Sequence, residues 1–424
     1  MNASGAASLR GRLQWYATAA VGPMSAAGVQ FLLSLTLLAR LPVGEFGRLS
    51  FLFVVSQFSI GIWGALFTSP LLVLSAQAAS ASGEATTAAI ERDGVSAMSG
   101  LALLPAAVFF VAVAVASGVP VPAAGVYALY ATLLLGRQFA RVRATAAGRY
   151  RTAMTSDLAY SGLLLAGVGV LALLPSAGEN AALALLALAV AGALAPFATQ
   201  PKVPRWSSAR NYRAVWSRDA RWSLLGVVTT EATVNSHSYI VTALLGPAAF
   251  APIAATALFI RPVTVAINAL VEFERARAAH RVARREFMEI ASARLHLRLL
   301  LLVIWAATGV LAAGVIALAP ATYLVGKFGA ATVIAGTILW LMVALARLLH
   351  APEGVILLAA GRFRQLAWIS GWTALVSLVA VSMLVAWNAP VYSIAGIVAG
   401  EGAFAVAAWR AATRLLRAPG AAGA

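Results

Sequence analysis

From residue 14 to residue 411 the chain is a succession of apolar stretches, each about as long as a helix that crosses a bilayer. A helix rises ~1.5 Å per residue, so roughly 20 apolar residues cover a hydrocarbon core of ~30 Å. Twelve segments meet that length: 14–39, 47–74, 95–117, 121–140, 153–174, 180–199, 222–245, 249–271, 295–317, 330–351, 366–387 and 390–411. Composition agrees. The chain is 61% hydrophobic and 11% charged with a mean hydropathy of +0.87, whereas a soluble domain is nearer half apolar and a quarter charged. An all-α polytopic membrane protein of about twelve transmembrane helices is expected.

The net charge is +17, from 31 Lys and Arg against 14 Asp and Glu. Nearly all the arginines fall in alternate loops. Arg10 and Arg12 precede the first segment, and Arg141, Arg143, Arg149 and Arg151 follow the fourth. Lys202, Arg205, Arg210, Arg213, Arg218 and Arg221 follow the sixth. Arg275, Arg277, Arg281, Arg284, Arg285 and Arg294 follow the eighth, and Arg362 and Arg364 the tenth. Arg410, Arg414 and Arg417 lie at the end of the last. Cytoplasmic loops carry the excess of Lys and Arg, so both termini are expected in the cytoplasm and the protein in the cell inner membrane. The same charges are drawn to anionic lipid. Nucleic-acid binding would need a soluble basic domain, and none is visible. The apolar stretch beginning near Leu13 is too long for an ordinary signal peptide and is expected to be a retained first helix.

The chain repeats itself. Ala146–Arg151 (A-A-G-R-Y-R) returns as Ala359–Arg364 (A-A-G-R-F-R), 213 residues on. Leu41–Gly47 (L-P-V-G-E-F-G) returns as Leu245–Ala251 (L-G-P-A-A-F-A), 204 residues on. Two landmarks in one order at nearly one offset indicate duplication. Each half begins on the same side, so the repeats are parallel and related by an axis along the membrane normal. The expected division is a six-helix lobe over 1–199, a basic cytoplasmic linker over 200–221 and a second six-helix lobe over 222–424. Linker residues Trp206, Tyr212, Trp216 and Trp222 leave two readings open, a tether on the anionic inner leaflet or a plain connection. Residues 272–290 read as a cytoplasmic extension of the eighth helix.

Enzyme signatures are missing. There is no G-x-x-x-x-G-K-[ST], H-E-x-x-H or G-x-S-x-G run. Without cysteine, and with four scattered histidines, neither a metal site nor a cofactor is expected. The outer loops are short and offer only Glu45 and Glu179, which argues against a membrane glycosyltransferase or ligase.

Ionisable groups inside the bilayer are costly and are by default functional candidates. Arg261 lies near mid-depth in the eighth segment and Arg347 at the inner end of the tenth; both suit an anionic headgroup, because guanidinium forks match phosphate oxygens. Glu231, His237 and Glu401 are candidates for proton coupling. Gln30, Gln57 and Asn235 are candidate polar lining. Structural alternatives stand beside each: Glu231 paired with Arg261, Arg347 and Glu353 snorkelling to the interface near His350, His237 packed, and the amides bonded between helices. Pro262 is expected to kink the eighth helix.

Phe31–Leu49 (F-L-L-S-L-T-L-L-A-R-L-P-V-G-E-F-G-R-L) resembles the N-terminus of polysaccharide transporters, the O-antigen flippase group of the multidrug/oligosaccharidyl-lipid/polysaccharide (MOP) exporter superfamily. Pro42-Val43 stands where Gly-Pro is usual there, while the second half supplies Gly246, Pro247 and Phe250. The resemblance implies two lobes around a cavity that opens to alternate sides. It implies a lipid-linked oligosaccharide substrate, carried on polyprenyl pyrophosphate from inner to outer leaflet, for cell-surface polysaccharide biosynthesis beside polymerase and chain-length machinery. It brings no catalytic residues. A cation-coupled drug or metabolite antiporter of the same superfamily is the alternative, with Glu231 and Glu401 as its acids. A peptidoglycan-precursor flippase would usually need two further helices.

Overall fold

The computed structural model describes residues 22, 24–78, 84–174, 178–198, 206–268, 270, 271, 274, 287–318, 324–360, 362–387 and 389–417. Nearly all of these are helical, and there is no strand among them. The helices are α1 (Met24–Arg40), α2 (Val43–Trp63, continuing through a π turn at Gly64–Thr68 into Ser69–Ala78), α3 (Glu84–Ala116), α4 (Val121–Ala146), α5 (Tyr150–Leu173) and α6 (Glu179–Leu194). A connector of short turns, Trp206–Asn211, Tyr212–Val215 and Trp216–Ala220, leads into α7 (Arg221–Val234, then Ser236–Leu245). Beyond it are α8 (Pro247–Asn268), α9 (Phe287–Leu318), α10 (Ala330–Ala359), α11 (Phe363–Ala386) and α12 (Ile394–Arg417).

Each of the twelve expected segments overlaps one of these helices, but among the described residues nine are both long and apolar enough to cross a membrane. Three, α1, α4 and α7, are not among the nine. Only 17 residues of α1 are described. α4 carries Arg137, Arg141 and Arg143 in its second half. α7 is not the continuous helix expected over 222–245, because it breaks at Asn235, whose φ of −117° and ψ of 2° leave the helical region. Just ahead of Pro262, where a kink was expected, Leu258–Ile260 form a 3-10 turn. Arg10, Arg12, residues 200–205 and most of the 272–290 extension lie outside the described residues.

The repeated motifs fold alike. The Arg149 N–H bonds the Ala144 carbonyl at 2.8 Å and the Arg362 N–H bonds the Leu357 carbonyl at 2.9 Å. Both bonds reach back five residues and close the end of a helix. Gly148 takes φ +72°, the left-handed conformation such a stop requires. At the other landmark, Phe46 and Phe250 are both buried.

Contacts divide the chain into two units: the described residues of Met1–Leu41 with Val55–Val227, and Pro42–Val54 with Val228–Ala424. In the first, Phe110, Tyr127 and Tyr160 are large side chains with almost no exposure. Phe110 and Tyr127 meet edge-on at 5.8 Å. α5 and α6 interlock where Leu163 lies over Gly192, and the Ser156 hydroxyl donates to the Ala193 carbonyl at 2.7 Å. In the second, Gly396 and Gly400 let α12 press on α11; a Cβ at either would lie 2.6 Å from Val381 or Ser377. Small residues four apart allow this close approach when lipid tails supply no hydrophobic drive between helices. Trp340 of α10 donates to the Ile253 carbonyl of α8 at 3.1 Å, and Gly336 seats Thr256. Gly47 at the start of α2 has no room for a side chain, since a Cβ there would lie 2.0 Å from the Pro247 carbonyl oxygen.

Candidate functional site

α10 carries Arg347, His350 and Glu353 at three-residue spacing, on adjoining turns. They face different partners. The Arg347 Nε donates to Glu401 Oε1 of α12 at 3.0 Å, and His350 Nε2 lies 2.8 Å from Glu401 Oε2. Both Glu401 oxygens are thereby engaged, and its side chain is 6% exposed. Phe404, one turn on, meets the His350 ring edge-on at 4.7 Å. Glu353 does not snorkel. It is fully buried against α9, bonded by Arg298, with Arg294 at 3.8 Å. Arg347 does not snorkel either; Glu401 holds it.

At the break in α7, Asn235 and Glu231 are bonded to each other. The Asn235 backbone N–H donates to the Glu231 carbonyl at 2.8 Å, and Asn235 Nδ2 donates to Glu231 Oε2 at 2.6 Å. Glu231 also feels the charge of Arg347. It is not paired with Arg261. His237 is enclosed, with Trp340 at 5.5 Å and Phe250 at 6.1 Å ring to ring, and Ser238 Oγ 3.1 Å from Nε2. Its surroundings are those of a packed side chain.

Arg261 stands apart. At ~1.5 Å per residue it lies roughly 21 Å along α8 from Pro247, inside a span long enough to cross the bilayer. Its side chain is half-buried and makes no hydrogen bond or ion pair with the described residues, and no charge among them acts on it.

The first unit holds a second polar cluster. Gln30 Nε2 donates to the Tyr160 hydroxyl at 3.1 Å. The Arg137 guanidinium lies 4.8 Å over the Tyr160 ring. Asp157 of α5 accepts from Arg137 Nη2 at 2.5 Å and from Arg141 Nε at 3.0 Å, and Arg137 Nε donates to Ser156 at 3.1 Å. Sequence reasoning passed over Arg137 and Asp157. The signal was there, an acid within 153–174 and an arginine within 121–140. Gln57 is exposed and takes no part.

Outside the spans, the connector is tied to α3 by Arg218, whose Nη2 and Nη1 donate to the two Glu91 oxygens at 2.9 and 3.3 Å. Glu91 and Asp219 push the Arg218 guanidinium above its ordinary range. Burial pushes the Tyr212 hydroxyl up to about 12, and it donates to the Leu66 carbonyl at 2.9 Å. Among the described residues no three His, Asp or Glu side chains gather as a metal site would require.

No family model matches the chain, and no curated protein does. Solved structures match over nearly the whole length. One is an inward-facing conformation of a multidrug resistance MATE family transporter of the MOP superfamily. It is 12% identical with a TM-score of 0.70, and the match covers 96% of this chain and 100% of that one. An outward-facing conformation of a multidrug resistance MATE family transporter is 15% identical with a TM-score of 0.63, covering 95% and 96%. A MOP superfamily transporter from Pyrococcus furiosus Vc1 (DSM3638) is 14% identical with a TM-score of 0.58, covering 95% and 96%; its description states that reverse polarity of the binding pocket suggests a different function. The chain therefore has the multi-pass helical membrane fold of MATE transporters of the MOP superfamily.

Proposed function

We propose that the chain is a membrane transporter that carries an anionic amphiphile, an oligosaccharide linked to polyprenyl pyrophosphate, from the inner to the outer leaflet by alternating access. The proposal includes twelve crossings, cytoplasmic termini and an inner-membrane location, with two lobes joined at 200–221. Polysaccharide polymerase and chain-length machinery are its proposed partners.

The observation that carries the reading is Arg261. A guanidinium inside a membrane span is expensive unless something neutralises it, and the described residues offer Arg261 no counter-charge. Glu401 and Glu353, by contrast, are matched by Arg347, His350, Arg298 and Arg294. The unmatched cation suits a pyrophosphate, which a guanidinium grips through two oxygens at once. Arg347 commits Nε to Glu401 and is proposed as a second headgroup contact. Glu401 and Glu231 are proposed to carry the coupling protons, with His237 as a further candidate that its enclosure makes less accessible. Gln30, Gln57 and Asn235 are proposed polar lining. A pyrophosphate and its sugars face a high barrier in bare hydrocarbon; a cationic path lowers it while the prenyl chain stays in lipid.

One observation favours the second reading, a cation-coupled drug or metabolite antiporter. Glu231 is partly buried, and among the described residues its carboxylate is hydrogen-bonded to an amide with only the charge of Arg347 acting on it, as an acid open to a cationic substrate would be. Solved neighbours are described as multidrug resistance transporters. Another is described as having a pocket of reverse polarity, which supports taking pocket charge rather than fold as the guide to substrate.

Deleting the gene and locating the carrier-linked glycans by leaflet tests the reading. Complete repeat units held on the cytoplasmic side, with surface polysaccharide lost, support it. Normal surface glycan with altered drug sensitivity moves the assignment to antiport.

A further inference from the structure

The connector between the sixth and seventh helices is a fitted part of the first unit. Ala209, Tyr212, Val215 and Ala220 form its buried face. Two glycines of α3 make room for it. A Cβ on Gly94 would lie 3.0 Å from both Asn211 Cβ and the Tyr212 nitrogen, and one on Gly100 would lie 3.0 Å from the Trp206 ring. Trp206 and Trp216 are nonetheless exposed, as is Trp222 in the first turn of α7, where Arg221 lies 5.0 Å over its ring. Exposed tryptophans beside arginines are the pattern of a segment lying at the level of lipid headgroups.

Between this connector and the start of α3 lies a cleft of about 640 Å³. Arg210 and Arg213 line it from the connector, with Asn211 and Ser217; Thr87 and Ile90 line it from α3. Glu91 also borders it, but both of its oxygens are taken by Arg218. Arg210 and Arg213 are exposed and have no partner among the described residues. The cleft thus presents two unmatched guanidiniums beside a neutralised carboxylate, with hydroxyl and amide groups around them.

We propose that this cleft binds the phosphate headgroup of an anionic phospholipid of the leaflet the connector faces. Arg210 and Arg213 grip the phosphate, Ser217 and Thr87 contact the polar head, and the exposed tryptophans lie in the interface beside the acyl chains. Charge complementarity selects the occupant: two forked cations suit a phosphodiester with a net negative head, and a zwitterionic lipid gains little there.

The test uses full-length protein in detergent, offered equimolar phosphatidylglycerol and phosphatidylcholine, with bound lipid counted by native mass spectrometry. Wild type retains phosphatidylglycerol preferentially. Arg210→Gln/Arg213→Gln weakens that retention about tenfold or more, whereas Arg410→Gln/Arg414→Gln, which removes the same charge elsewhere, leaves it intact. Ser217→Glu, at an exposed position, places an anion in the cleft and gives the same loss even where the double variant folds poorly. Equal retention by wild type and the cleft variants overturns the proposal, as does an equal loss in the Arg410/Arg414 variant. Displacement of the lipid by millimolar inorganic phosphate would mark a site for free phosphate and also overturn it.

Discussion

Arg137 and His350 hold the same register in the two repeats, each eleven residues ahead of the glycine of the repeated A-A-G-R motif at Gly148 and Gly361, and each binds a carboxylate. Their partners differ. Arg137 takes Asp157 from the next helix, α5, while His350 takes Glu401 from α12. The same position relative to the A-A-G-R motif thus carries a hydrogen-bonding side chain in both halves, answered by an acid from a different helix in each.

In the first cluster Asp157 is the hub. Asp157→Asn strands Arg137, whose side chain is 8% exposed, while Arg141 is 27% exposed and reaches solvent or headgroups. Removing one member of a buried pair costs about 3–5 kcal/mol; a partly exposed pair contributes at most about 1 kcal/mol. Thermal unfolding of purified protein is expected to rank Asp157→Asn well below Arg141→Gln. Equal losses would mean that Arg137 draws its compensation from elsewhere.

In the second unit Glu401 is bonded by Arg347 as well as by His350. Glu401→Gln leaves Arg347 without its carboxylate, and adding Arg347→Gln is expected to restore part of the lost stability. Residues in direct contact typically couple by about 0.5–3 kcal/mol in a double-mutant cycle. Strict additivity would show that the 3.0 Å contact contributes nothing.

The seating of the connector depends on Gly94. Gly94→Leu drives a side chain into Asn211 and the Tyr212 backbone, and trypsin is expected to cut after Arg210 and Arg213 faster than in wild type. Gly136→Leu is the control, because nothing lies within 4 Å of a Cβ there. Unchanged cleavage in Gly94→Leu would show that the close approach is not what holds the connector.

Much of the fold was legible because its signals are local. Apolar length marked twelve segments that each overlap a helix, nine of which are long and apolar enough to cross a membrane among the described residues, and the A-A-G-R turns were legible as repeats because a helix stop has strict backbone demands. The break in α7 was not legible. No proline or glycine marks it; the residue that leaves the helical region is Asn235, one polar side chain among several in the segment. Pairings were harder still. Arg347 and Glu353 look like one cluster along α10, yet three-residue steps turn them toward different helices, Glu401 on α12 and Arg298 on α9. Sequence periodicity gives the face of a helix and says nothing of which neighbour it meets. Arg137 and Asp157 were missed for a related reason. The arginine count assigned charges to loops, and Arg137 lies inside α4.

The central claim is that Arg261 receives an anionic headgroup during transport. The most direct measurement is translocation of a fluorescent polyprenyl-pyrophosphate oligosaccharide in proteoliposomes, read by leaflet accessibility, for wild type and Arg261→Glu at matched, folded protein levels. Wild type is expected to move the lipid, and the charge reversal to slow it by about tenfold or more, the loss of one charge-assisted contact. Lipid movement unchanged by Arg261→Glu would take the residue out of the substrate path. No lipid movement by wild type, together with gradient-driven expulsion of a cationic dye, would contradict the account.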